Sequence, residues 1–522
     1  MRLTKSLLIV FILSLAMPTA RAGFVDHLAV RDDIGLDKAP NRGHSRVLVI
    51  PIIVQESNLI GEEELLSASK EFYGDSAEGF TFNRYFQSVS QGRFSTEVEL
   101  SDPVYFDTCP FAYNSSGVCT VERGDLNAFD EATIAFQQVL NELDEKIDFS
   151  RYDINGIVPN LPDGYIDGLM IMTNINFGGI AFPYWRLCEA NFTPGNACRD
   201  QKDGSKDWVP IYDDIMLPWV AISGVRTSGG IERALRVSVH EFGHLLGFLD
   251  LYDESGESTS LPYSFMGGWT YGENVPVPTA FSRYMIGWGN VEQVGESGSY
   301  NLRPAAEGGA LLRLGTGNEY FLVEYRSATG LWDADIDPGG LAIHHIDETQ
   351  LPGDDPLSFI LTIADCMQCD AWAPLVMTEQ ADGLFELQKS SGKRDDAGDL
   401  FRTGNEFPVG ESGEAFNALT ATLNSNYYSG ESSGIALHSI VEEADGSVSF
   451  SVEVPILENL CADLRCPDGM TCVDGFCLSG DVSDAGEGCG CQGQKVDFGL
   501  WALIFVLVFF CRKSAYRRFF FL

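Results

Sequence analysis

The stretch His240-Glu241-Phe242-Gly243-His244-Leu245-Leu246-Gly247-Phe248-Leu249-Asp250 constrains the chain more than any other segment. Residues four apart on a helix lie on one face, one turn above the other, so that a helix lets His240 and His244 aim two imidazoles at a single metal. Glu241 sits about 100° round that helix from His240, close enough to reach a metal-bound water without being a ligand, which is the position of a general base. Upstream, Ile231, Leu235, Val239, Phe242 and Leu246 recur at helical spacing, Glu232 falls in the first turn, and Thr227 or Ser228 can cap the start. The metal pair is therefore expected on a buried helix.

Gly247 can turn the chain at a helix end where other residues meet a steric cost, and Asp250 then offers a carboxylate. His240, His244 and Asp250 make three protein ligands for zinc and leave a fourth position open for water, as in a catalytic rather than a structural site. A bare His-Glu-x-x-His occurs by chance in many proteins; the Gly and Asp extension lifts this copy above that background. Shortly after, Tyr263-Ser264-Phe265-Met266-Gly267-Gly268-Trp269 sets Met266 among turn-forming residues, similar to the Met-turn that forms an apolar floor beneath the metal in the metzincin clan. A lone Met is more often an ordinary core residue.

The run from His240 through Leu251-Tyr252-Asp253, the Met266 segment, and Pro278-Thr279-Ala280-Phe281-Ser282-Arg283-Tyr284-Met285-Ile286-Gly287-Trp288 together resemble the immune inhibitor A family of secreted bacterial metallopeptidases. Val47-Leu48-Val49-Ile50-Pro51 and Tyr85-Phe86-Gln87-Ser88-Val89-Ser90-Gln91-Gly92 are similar to that family's first strand and early helix. Downstream, Glu319-Tyr320-Phe321-Leu322-Val323-Glu324-Tyr325-Arg326 and Pro338-Gly339-Gly340-Leu341-Ala342-Ile343-His344-His345 resemble its segment beyond the catalytic unit, so that the likeness covers roughly residues 46 to 450. It implies a zinc-dependent endopeptidase with His240, His244 and Asp250 as ligands and Glu241 as base. Zinc lowers the pKa of its water towards ~7, Glu241 takes the proton, and the hydroxide attacks a peptide carbonyl. The developing oxyanion usually has a second stabiliser besides zinc. Tyr252, Tyr263, Tyr271, His344 and His345 are the candidates, although the alternating apolar run around His344 and His345 favours a structural role for those two.

A candidate calcium site is formed by Asp153, Asn155, Asp163 and Asp167, alternating with Gly156 and Gly164 just before the apolar strand Leu169-Met170-Ile171-Met172. Calcium takes six to eight oxygen ligands, which such a loop can supply; the same residues also serve as Asx turns that cap a strand. The resembled family has a comparable loop in compact form, into which this chain inserts Ile157 to Pro162.

At 522 residues and 45% hydrophobic content the chain can bury a large core, divided into about two or three domains. Its net charge of −41, from 75 acidic and 34 basic residues, argues against a nucleic-acid partner and suits calcium and an extracellular setting better, while protein or peptide substrates are what the resemblance implies. Residues 1–22 read as a signal peptide, with Arg2 and Lys5 before an apolar run and Ala20-Arg21-Ala22 at the cleavage site; residues 23–45 form a short leader. Cys109 with Cys119, Cys188 with Cys198, and Cys366 with Cys369 are local candidate disulfides of an oxidising compartment.

The expected fold is an α/β metzincin-like zinc peptidase domain over 46–290, an all-β domain over 291–457 and a small disulfide-rich segment over 458–480. The β reading rests on short alternating strands at Ala310 to Leu314, Tyr320 to Tyr325, Leu341 to Ile346 and Ser447 to Val454. Cys461, Cys466, Cys472 and Cys477 suit two disulfides in a stretch too small for a core, with a zinc knuckle as the rival reading. An acidic linker over 481–495 contains Cys489 and Cys491, and 496–522 is an apolar segment followed by Arg512, Lys513, Arg517 and Arg518. This end resembles the C-terminal sorting signal MYXO-CTERM, which implies sorting or processing machinery acting near Cys489 and Cys491; a plain membrane anchor is the alternative. The expectation is a secreted or surface-anchored enzyme. A catalytically silent surface binding or adhesion protein on the same scaffold is the alternative, and a calcium-stabilised coat component is a third reading that leaves the metal helix unexplained.

Overall fold

The computed structural model describes residues 39–455, apart from 58, 75–78, 111, 114–118, 121–134, 137, 157, 184–210, 226–228, 253–263, 268–274, 352–369 and 390–397, together with 470–473 and 476–479. The apolar run at Val47 forms the centre of strand β1 (Gly43–Val54), which begins ahead of the expected boundary at 46. Strand alternation sends Val47, Val49 and Ile53 to one face and Leu48, Ile50, Ile52 and Val54 to the other. Both faces are buried, so β1 reads as one continuous hydrophobic stretch, as central parallel strands do. Helices α1 (Glu62–Tyr73) and α2 (Phe82–Val89) precede strands β2 (Phe94–Leu100) and β3 (Val104–Phe106), both parallel to β1. Strands β4 (Leu169–Thr173), β5 (Gly179–Pro183) and β6 (Trp219–Gly224) complete a sheet of order β2-β1-β4-β6-β5, with β3 also on β1. Only the edge strand β5 runs antiparallel to its neighbour.

Helix α3 (Gly230–Leu246) carries the metal motif and buries Leu235, Val239, Phe242 and Leu246 against one face of this sheet. The Phe242 ring packs edge-on to Phe82 and Phe86, at centroid distances of 5.0 and 5.3 Å. Phe136, Val139, Leu140 and Leu143 cover the other face. The start of α3 differs from expectation. Its N-cap is Gly229 at φ 110°, which has no side chain to cap with, and the Arg233 side chain lies where a Cβ at that position would stand; Thr227 and Ser228 lie outside the described residues.

After helix α4 (Ala280–Met285) the pattern becomes β, as expected from 291 onward. Strands β7 (Val291–Val294), β9 (Leu311–Leu314), β10 (Glu319–Arg326), β11 (Gly340–Asp347) and β12 (Val376–Glu379) form a five-stranded sheet in that order. Strands β8 (Gly298–Leu302), β13 (Ala436–Glu442) and β14 (Val448–Glu453) form a second sheet of order β8-β14-β13. Alternation along β10 divides its contacts: Phe321, Val323 and Tyr325 meet the three-stranded sheet, while Tyr320 and Leu322 join the core of the α/β unit. The hydrophobic core therefore continues across residue 290.

The same face of β10 carries charge. Glu324, fully buried, accepts from Arg283 Nη2 at 2.6 Å, from the Ala280 N–H at 3.0 Å, and pairs with His344 Nε2 at 3.0 Å. Arg326 donates to both oxygens of Asp333 at 2.7 and 2.8 Å, and Asp333 in turn accepts the Val277 N–H at 3.0 Å. Burial alone raises the Glu324 carboxyl, but Arg326, His344 and Arg283 outweigh it and hold the group well below the usual carboxylate range.

Cys109 and Cys119 form a disulfide, as their spacing led us to expect. Cys472 and Cys477 stand opposite each other in the hairpin β15 (Met470–Val473) and β16 (Phe476–Ser479). Cys188, Cys198, Cys366, Cys369, Cys461, Cys466, Cys489, Cys491, the signal peptide and the C-terminal apolar segment lie outside the described residues. Among the described residues, no helix is long and apolar enough to cross a membrane.

Candidate metal centre

The C-terminus of α3 both ends the helix and finishes the site. Gly247 adopts φ 103°, its N–H donates to the His244 carbonyl at 3.1 Å, and the Phe248 N–H donates to the Gly243 carbonyl at 3.1 Å. This pairing is a Schellman motif, which needs a left-handed residue where glycine alone escapes the Cβ penalty. The reversed chain brings the Phe248 carbonyl back to His244 Nδ1 at 3.0 Å and delivers Asp250 beneath the helix. From the other side, a turn over Ser264–Gly267 sets the Phe265 carbonyl 2.7 Å from His240 Nδ1. Met266 is fully buried, its carbonyl accepts the Leu251 N–H at 2.8 Å, and with Phe265 it packs against Gly243 between the two histidines.

A carbonyl oxygen only accepts, so each imidazole carries its hydrogen on Nδ1 and turns the lone pair of Nε2 inward. His240 Nε2 and His244 Nε2 lie 3.2 and 3.3 Å from the same atom, Asp250 Oδ1. That oxygen is buried and has no hydrogen-bond partner among the described residues. Three acceptors facing one another is unfavourable, with a cost of about 1–3 kcal/mol for a buried unsatisfied group, unless a cation lies between them. Neutral imidazole nitrogen and carboxylate oxygen are zinc ligands, so the donor set fits the metal implied by the sequence. Among the described residues no other group of His, Cys, Asp or Glu gathers three ligand atoms in this way; these lie within 4.8 Å of one another.

Glu241, on the next position of the helix, is 3% exposed and turned towards β5, where its carboxylate lies against the α-carbon of Gly179. Of the proposed oxyanion partners, Tyr252 lies nearest in the described structure, with its ring parallel to His240 at a centroid distance of 6.2 Å. Tyr263 and Tyr271 lie outside the described residues. His344 is bound to Glu324, and His345 sits between Glu379 and Glu319 at 3.1 and 3.0 Å, both buried in the five-stranded sheet.

Asp153, Asn155, Asp163 and Asp167 come together, but their oxygens are turned to protein donors. Asp167 accepts from the Arg46, Ile154 and Asn155 N–H groups, and Asp153 from those of Asp163 and Gly164. The Asn155 amide oxygen takes the Asn160 N–H at 2.6 Å, and Asp163 takes the Tyr165 N–H at 3.1 Å. The Asp163–Tyr165 bond is an Asx turn, and Asp167 and Asn155 tie the loop to β1 through the Arg46 N–H and Ser45 Oγ.

Sequence reasoning did not find the carbonyls of Phe248 and Phe265 or the role of Gly179. Backbone carbonyls have no residue signature; Gly179 had one, as the second glycine of Gly178-Gly179 opening an apolar strand.

Residues 62–297 match the model of a family described as Immune inhibitor A peptidase M6, catalytic domain. The pre-pro-metalloprotease PrtV of Vibrio cholerae serotype O1, from strain M66-2 and from strain ATCC 39315 / El Tor Inaba N16961, is 26% identical over 245 residues. Those residues make up 42% of this chain and 25% of the relative, so the chain spans about a quarter of the length of these proteins. His240, Glu241, His244, Asp250 and Met266 all fall inside the matched segment, so over residues 62–297 the chain is similar to the immune inhibitor A peptidases.

Proposed function

We propose that the chain is a zinc-dependent endopeptidase acting on extracellular proteins. The observation that carries this reading is the convergence of His240 Nε2, His244 Nε2 and Asp250 Oδ1 on one point, with Oδ1 buried and lacking a hydrogen-bond partner among the described residues. Zinc held by these three residues supplies Lewis acidity towards a peptide carbonyl and makes a water acidic at neutral pH. Glu241 is the base: it takes a proton from the attacking water and returns it to the leaving amine nitrogen. The Phe265 and Phe248 carbonyls orient the imidazoles, and Met266 closes the site from below. Beside the helix, β5 ends the order of its sheet and offers an edge along which an extended peptide can lie. An extracellular setting agrees with the Cys109–Cys119 disulfide and with the leader and C-terminal segments read from the sequence.

The test is hydrolysis of unfolded casein by the full chain beside Glu241→Ala with zinc content matched. Loss of about 10²–10⁴-fold in kcat is expected, the range of a removed general acid–base. Equal hydrolysis by both would remove Glu241 from the mechanism, and a zinc-loaded wild type that cuts nothing would favour a silent binding protein.

A further inference from the structure

We infer that Gly179 is a positioning residue for the catalytic base: it holds the Glu241 carboxylate in place by contributing no side chain. The inference rests on Glu241 acting as the base.

A glycine inside a strand weakens it and calls for a reason, commonly the close approach of another group. At most of the glycines in this chain's turns the reason is a left-handed φ, but Gly179 is not among the positive-φ residues, so its backbone conformation is open to alanine. The reason is space. A Cβ at Gly179 would run into Glu241 at Oε1 and Cγ and into Val237 at Cγ1, all nearer than non-bonded atoms approach. Val237 and Glu241 are four apart and line the same stripe of α3, the one that faces β5.

Neither backbone can retreat. Gly179 is paired with Ser223 at the end of the β5–β6 ladder, and the Gly224 N–H donates to the Gly178 carbonyl at 3.1 Å. Ser223 also donates through Oγ to the Ala234 carbonyl at 2.6 Å, which pins α3 to the same strand. On its other side α3 is held by the Tyr73 hydroxyl, which donates to Ser238 Oγ at 2.8 Å, and by Val239 and Phe242, both fully buried. The compliant partners are therefore the Glu241 and Val237 side chains. A methyl group at 179 displaces the Glu241 carboxylate, whereas none of the three atoms nearest to it belongs to His240, His244 or Asp250.

Gly179→Ala is expected to lower kcat about tenfold to a hundredfold, the cost of a displacement of about 1 Å at a reacting group, with KM and zinc stoichiometry unchanged. Val237→Ala/Gly179→Ala removes the second clash and guards against misfolding; the loss in kcat should persist there. A metal-free readout is thermal unfolding in the Val237→Ala background: Gly179→Ala should lower Tm there and lower it much less beside Glu241→Ala, where both clashes are gone and the methyl has room. Wild-type kcat in both Gly179 variants, loss of zinc in step with kcat, or an equal fall in Tm with and without the Glu241 side chain would each overturn the inference. A wild type that binds zinc and cleaves nothing would count against the peptidase reading instead, and the unfolding cycle would still decide whether Gly179 sets the place of Glu241.

Discussion

Asp250 Oδ1 faces two imidazole nitrogens that accept rather than donate, and this arrangement can be tested without any substrate. Asp250→Asn turns an amide donor towards those lone pairs. The metal-free variant should be more stable than metal-free wild type by about 1 kcal/mol, the net worth of one hydrogen bond, while its zinc Kd rises at least about tenfold, at the low end of what a lost metal-site interaction costs. Urea unfolding and chelator competition read the two effects separately; unchanged zinc affinity would take Asp250 out of the ligand set. The clustering of His240, His244 and Asp250 was legible in the sequence because their spacing is itself the geometry: four residues make one helical turn, and Gly247 marks where the chain doubles back. The Asp153–Asp167 loop was legible only as oxygen-rich. Whether an oxygen faces a cation or an amide depends on the path of the backbone, and here Asp167 meets the N–H groups of Arg46, Ile154 and Asn155.

At the scale of elements, α3 depends on its C-terminal turn. Gly247→Ala forces a Cβ into φ 103° and should cost about 1–2 kcal/mol, the penalty of the left-handed region for an L-residue. Because Phe248 supplies the carbonyl that holds His244, the variant should also bind zinc more weakly; a chelator titration in which only stability moves would separate the turn from the site. The helix stop was readable from sequence, whereas its start was not, since Gly229 serves as N-cap through backbone geometry and the fold of Arg233 over it. A pH effect belongs to the short helical turn after β11. Burial pushes the Glu348 carboxyl from its ordinary 4.5 up to about 7, against the opposing Tyr320 hydrogen bond and Arg313 charge. Between those values the folded chain holds a proton that the unfolded chain has released, so this group's contribution to stability is present at low pH and declines as pH rises towards 7. Glu348→Gln should flatten that part of the stability profile measured by urea unfolding, and an unchanged slope would count against the assignment.

Across the whole molecule, the α/β unit and the β-rich region share one core, and a cluster of buried charge spans their junction. Glu324→Gln leaves Arg283 and Arg326 without their shared carboxylate and should cost about 3–5 kcal/mol, as when one partner of a buried ion pair is removed. The fragment 39–290 should fail to fold cooperatively where 39–455 succeeds; near-UV circular dichroism distinguishes them, and a native-like spectrum from the short fragment would show that the core divides after all. The change from α/β to β was readable in the strand periodicity near Val291. The continuity was not, because an alternating strand looks the same whichever neighbour each face meets. Val277 and Ala280, held by Asp333 and Glu324, follow Pro276, whose carbonyl accepts from Tyr85 at 2.8 Å, and the Tyr85 ring lies against Phe265 beside Met266. Synthesis from the N-terminus therefore produces His240, His244 and Asp250 before the strands that brace them, and a chain halted between the two carries the three proposed ligands without their foundation.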